Sequence, residues 1–121
     1  MQSHCSTTTA NQAIAAQLAA EEQERPAIRD AGIAALNRLL PIAQRYSGQS
    51  RIVGGFLLSL YNGSAFPFPL TELRGLDTAL FKDCIDLLHM DQRPEMEVHE
   101  YVENGEAVWS QLKKDWAAQQ N

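Results

Sequence analysis

The chain of 121 residues has little cysteine, few basic residues and no long hydrophobic run. Each shortage removes a class of function. The two cysteines, Cys5 and Cys84, stand in unlike settings, one in a polar N-terminal stretch and one in an apolar helical pattern. Such a pair is no disulfide framework. It predicts a buried structural thiol in a reducing cytoplasm. Ten Lys and Arg against fifteen Asp and Glu leave a net charge of −5. A general nucleic-acid binder needs the opposite sign, because cations must displace counterions from phosphate. The longest apolar run, Ile52–Leu58, is closed by Ser59, whereas a membrane span needs about 20 residues. The opening MQSHCSTTTANQ lacks the basic-then-apolar order of a signal peptide. The expectation is a soluble cytoplasmic protein with no membrane partner.

Catalytic signatures are missing as well. There is no G-x-S-x-G elbow and no G-x-x-x-x-G-K-S/T loop, and the pair Gly54-Gly55 opens no phosphate loop. Cys84 lies on an apolar stripe where a thiol is inert. No cofactor or catalytic residue is assigned.

What is present is helical periodicity. Residues 1–9 read as a disordered tail, and Ala10–Glu24 as a thin-striped helix carrying Ile14 and Leu18, frayed or waiting for a partner. The chain thus divides into a weakly docked segment, 1–24, and one helical domain, 25–121, and the first segment offers a route to a homodimer. Pro26 suits the first turn of a helix. Ala27–Tyr46 follows, with Ile28, Ala35, Leu36, Leu39, Leu40, Ala43 and Tyr46 on one side and Arg38 and Arg45 on the other. Pro41 falls among the outward positions. Ser47-Gly48 reads as a stop with Gly48 left-handed, Ser50 as the next cap, and Arg51–Tyr61 as a helix apolar all round and therefore buried.

Asn62-Gly63 reads as a second stop of the same kind. SAFPFPL, residues 64–70, is extended by its prolines. A short turn is expected at Thr71–Leu76. Asp77 caps a helix running to about Asp91 with a stripe of Leu80, Phe81, Cys84, Ile85 and Leu88. Glu95–Glu103 is read as helix rather than strand. Glu106–Ala118 is the last helix, with Val108, Trp109, Leu112 and Trp116 inward. The class is all-α, a compact bundle of five to six helices around a buried central helix. Gly54 and Gly55 are costly in that central helix. They predict a close approach of the helix Ala27–Tyr46 near Gly32 or Ala35.

Charge is uneven, +1 over residues 1–51 and −6 over 52–121. Asp83–Glu106 holds eight acids against Arg93 alone. This block is either a solvated face or a dock for a basic partner. Glu95, His99 and Glu103, and separately Asp83, Asp86 and His89, have helical spacing, but neither matches a metal signature. A helix-turn-helix over 27–61 fails because its second helix has few polar side chains to show a groove. Phe66 and Phe68, held between Pro67 and Pro69, are either a pre-ordered docking strip or a lid on the core.

At RIVGGFLLSLYNG, FPFPLTELRGLD, MDQRP and EVHEYVENG the chain resembles a family of small uncharacterised proteobacterial proteins, often carried by integrative and conjugative elements. The resemblance covers roughly Pro26 to Trp116. It implies no catalytic residue. It implies a cytoplasmic accessory protein tied to mobile-element maintenance or host defence.

The reading is a non-enzymatic protein-interaction module, with Phe66, Phe68, Asp83, Asp86, Glu97, Glu100 and Glu103 facing the partner and no metal bound. An acidic nucleic-acid mimic of the anti-restriction or anti-CRISPR kind is the alternative. A carboxylate–histidine metal enzyme around Glu95, His99 and Glu103 is a third and weaker reading.

Overall fold

The computed structural model describes residues 2–117, with side chains from Thr9 onward. The expected end of the last helix at Ala118 and the setting of the Cys5 side chain lie outside the described residues. The described residues form four α-helices and two short 3-10 helices: α1 (Gln2–Ala43), α2 (Gly48–Tyr61), a 3-10 helix at Leu70–Gly75, α3 (Thr78–Asp91), a 3-10 helix at Val98–Tyr101, and α4 (Gly105–Trp116). No strand occurs among the described residues. The class is all-α, and the helices pack as a compact bundle.

The first helix departs most from expectation. α1 runs unbroken through Pro26, where a new helix was expected to start, and reaches back to Gln2 through the stretch expected to be disordered. Pro26 is exposed. Its missing N–H therefore leaves the carbonyl of Glu22 facing water, and the Ala-, Gln- and Glu-rich sequence before it favours helix. Side chains clamp this turn, Arg25 to Glu22 at 2.9 Å and Arg93 to Glu21 at 3.6 Å. At its other end α1 stops at Ala43, short of Tyr46. Tyr46 is exposed instead of inward, its ring 5.8 Å from that of Trp116.

Ser47 and Gly48 begin α2 and do not end α1. The Ser47 hydroxyl accepts the N–H of Ser50 at 3.0 Å, so Ser47 is the cap and Ser50 lies inside the first turn, buried, with its hydroxyl 2.8 Å from that of Ser47. Gly48 and Gly63 are not left-handed; among the described residues it is Asn104, ahead of α4, that has positive φ, at 57°. α2 is buried at every position from Ile52 to Leu58, as its all-round apolar sequence requires.

α1 and α3 lie antiparallel: Arg38 meets Asp83, Gly32 faces Met90, and Arg29 reaches Glu95. Asp77 caps α3, accepting the Leu80 N–H at 2.8 Å. The buried face of α3 is Leu80, Asp83, Cys84, Leu87 and Met90. This corrects the stripe that the sequence predicts, because Phe81 and Ile85 are exposed and not inward. The helix is turned about its axis because Asp83 is drawn into the interface by Arg38, whose Nη2 and Nε donate to Asp83 Oδ1 at 2.8 and 3.0 Å. Asp83 and Asp86 both hold the Arg38 guanidinium above its usual range, the hydrogen bond to Asp83 contributing most.

Two tryptophans of α4 bind the bundle by their indole N–H groups. Trp109 donates to the Leu57 carbonyl at 3.2 Å, and Trp116 to the Ala43 carbonyl at 2.8 Å. Trp116 also supplies the reason for Gly54. A methyl group added there would stand 2.7 Å from Trp116 Nε1 and 2.8 Å from Cγ. At Gly54 the close approach is made by α4 and not, as expected, by α1.

Candidate interaction surface

The segment Ser64–Leu70 leaves the end of α2 with its first turn tied down, Asn62 Oδ1 accepting the Ala65 N–H at 3.1 Å. Phe66 and Phe68 are half-buried and pack on the core, Phe68 edge-on to Phe56 with ring centres 5.8 Å apart. The apolar side chain this loop sends outward is Leu70, which is 74% exposed. Leu70 and Phe81 then line one shallow groove of about 380 Å³ with Leu73, Arg74, Leu76 and Thr78. Phe81 is 41% exposed, and Ile85, one turn further on, is 43% exposed. Two contacts tie the segment that carries this groove to α2: Arg51 pairs with Glu72 at 2.9 Å, and Gln49 accepts the Asp77 N–H at 2.8 Å.

The acidic block lies toward the other end of α3 and is largely engaged with the protein itself. Asp83 is buried on Arg38, and Asp86 is half-buried and acts on the same guanidinium. Burial, with the nearby Glu97 charge, raises the Asp91 carboxyl above the usual carboxylate range. Glu100 accepts the Glu97 N–H at 2.9 Å. Glu97, Glu100 and Glu103 are exposed. The segment Glu95–Glu103 is helical, as expected, rather than a strand, but only over one turn of 3-10 helix, Val98–Tyr101. The Tyr101 hydroxyl accepts the N–H groups of Glu95 and Met96, both at 3.2 Å, and fixes this tighter path.

That path undoes the row of Glu95, His99 and Glu103, since residues four apart align on an α-helix and not on a 3-10 turn. Glu95 instead approaches Arg29 at 3.7 Å, and His99 Nε2 lies 3.1 Å from Glu106. The His99 ring packs between Tyr61 and Trp109, with centres 5.1 and 6.4 Å away. Among the described residues no group of three His, Cys, Asp or Glu side chains could hold a metal ion. No helix there is long and apolar enough to cross a membrane.

A second cleft of about 290 Å³ opens where α1 passes the end of α3. Arg25, Arg29 and Arg93 line it, but so do Glu21, Glu24 and Glu95, so its charges cancel.

Cys84 is fully buried on α3, and its thiol is pushed up to about 12, chiefly by burial and also by Asp83. A thiol so rarely ionised at neutral pH is no nucleophile. In a Cys5→Ser background Cys84 should therefore stay unreactive toward a thiol-specific reagent at pH 8, and react stoichiometrically once denaturant unfolds the chain. Rapid labelling of the native protein, followed by absorbance, would contradict this setting.

Sequence reasoning missed Leu70, Phe81 and Ile85 as surface residues. The available signal was that α3 carries two apolar rows, 80/84/87 and 81/85/88, of which a helix can bury only one fully. Comparison of the chain with curated proteins and with solved structures finds no match to either. A family profile matches residues 33–117, which hold α2, α3, α4 and the inner part of α1. The chain belongs to that family, DUF7673, a family of unknown function.

Proposed function

We propose that the chain is a non-enzymatic protein-interaction module that docks its partner on the groove between Leu70 and Phe81, extended along α3 by Ile85. The exposure of these three large apolar side chains on one surface carries the reading. Adjoining apolar side chains left in water mark contact sites more often than isolated ones do. Arg74 lines the groove and Lys82 follows Phe81 on the exposed side of α3. The partner that fits carries an apolar row with acids beside it. A partner with a basic surface would meet the far end of α3, at Glu97, Glu100 and Glu103. Phe66 and Phe68 serve by holding the loop to the core, so that Leu70 is presented without loss of chain entropy on binding.

The alternative, an acidic mimic of nucleic acid, has less support. Such a mimic needs free carboxylates in a row, and Asp83, Asp86, Glu95 and Glu106 each face a cation or histidine of the same chain. The resemblance to proteins of mobile elements suits an accessory role, with the partner supplied by the element or its proteobacterial host.

The test is a Leu70→Glu, Phe81→Glu double variant. Both positions are exposed, so the melting temperature should hold. Partners captured by the wild-type chain from its native host should be lost. A variant that keeps every partner would remove the groove from the proposal, and a partner whose binding collapses with added salt would favour the acidic mimic.

A further inference from the structure

From Gln2 to Ala20, α1 extends about 28 Å, at about 1.5 Å per residue. Every described side chain from Thr9 to Ala20 is exposed, Ile14 at 57% and Leu18 at 52%. These two continue a single stripe. Leu39, Ala35 and Gly32 are buried and Ile28 half-buried, and the row goes on through Arg25, Glu21, Leu18 and Ile14 with steps of alternately four and three residues. A 4-3 repeat keeps one face of a helix against a second helix. Over residues 28–39 that second helix is α3. Past the end of α3 the stripe meets Arg93, 3.6 Å from Glu21, and beyond that contact Leu18 and Ile14 are left exposed.

We infer that the exposed stripe of this arm is covered by the arm of a second copy, running antiparallel. Charge favours a copy of the same chain. The protein carries −5 overall, yet residues 2–20 contain no Lys, Arg, Asp or Glu. The arm is thus a long uncharged helix, exposed from Thr9 to Ala20, on which two acidic molecules can meet without opposing like charges. The spacing selects the direction. In an antiparallel pair with its two-fold axis level with Ala16, Ile14 of each arm faces Leu18 of the other, and Asn11 faces Glu21. A parallel pair would set Glu21 against Glu21 and bring both acidic bodies to one end. The antiparallel pair is a closed, self-complementary dimer with the bodies at opposite ends. With two large apolar side chains from each arm the buried face is small, so the dimer is concentration-dependent. The arm lies outside the matched family segment, and the groove at Leu70 and Phe81 takes no part, so either idea can fail alone.

Sedimentation of the full chain should show a mass moving from 13.5 kDa toward twice that value as concentration rises through the micromolar range. An Ile14→Glu, Leu18→Glu variant should stay at 13.5 kDa throughout, with unchanged circular dichroism at low concentration. In a Cys5→Ser background, mixing an Ile14→Cys chain with a Leu18→Cys chain should give a mixed disulfide in preference to either like pair. A wild-type monomer at every concentration, a dimer that survives both glutamates, assembly beyond two, or preferential like-pair disulfides would each overturn the inference.

Discussion

Gly54→Leu should destabilise the protein by about 1–3 kcal/mol or more, because the added carbons must occupy space already held by the Trp116 ring. At roughly 3–6 °C per kcal/mol for a chain of this size, the melting temperature should fall visibly. Gly54 lies in α2, buried on both sides, and cannot turn a larger side chain outward. Removing the ring should be costlier still. Trp116→Ala leaves a cavity and the unsatisfied Ala43 carbonyl, a change of about 3–5 kcal/mol. The informative measurement is the double variant. If Gly54 exists to admit the indole, leucine at 54 refills the vacated space, and the two losses sum to clearly more than the double variant loses. Additive losses in denaturant midpoints would mean that Gly54 and Trp116 do not share that space.

Gly105→Ala should behave differently. A methyl group on Gly105 would meet the His99 carbonyl group, with the carbonyl carbon 2.7 Å away. The obstacle is backbone, pinned by the 3-10 turn and by the hydrogen bonds of Tyr101. The expected loss is at the upper end of about 1–3 kcal/mol or beyond it. Truncating the neighbouring side chain, His99→Ala, should bring no recovery, whereas Trp116→Ala recovers Gly54→Leu. A Gly105→Ala protein with the wild-type melting temperature would show that the 98–105 segment gives way easily.

Much of this architecture is legible in sequence for physical reasons. α2 announces itself by apolar residues all round, and α3 by the Asp77 cap and the break at Arg93-Pro94. α4 is marked by the spacing of Trp109, Leu112 and Trp116. What cannot be read locally depends on distant partners. Pro26 favours a helix start by every local rule, yet it stays inside α1 because its unpaired carbonyl faces water and ion pairs clamp the turn. The rotation of α3 depends on Arg38, 45 residues away in sequence. Without that guanidinium, burial of Asp83 would be prohibitive and the Phe81–Ile85 row would be the better core face. The groove is hidden from sequence for the same reason. Leu70 and Phe81 become neighbours only after Asp83 has taken the inner position. The acidic block reads as a free charged face in sequence because the cations that answer it, Arg29 and Arg38, both lie in the first third of the chain.

The two indole hydrogen bonds give the protein a built-in optical gauge. Trp109 and Trp116 are its only tryptophans, and both are buried. Trp109 reports on the seat of α4 against α2 through Leu57, and Trp116 on its seat against the end of α1 through Ala43. Replacing one or the other by phenylalanine leaves a single emitter at each junction. Coincident emission shifts on denaturation then describe one cooperative unit, and separated shifts time the release of α1 from the remaining bundle.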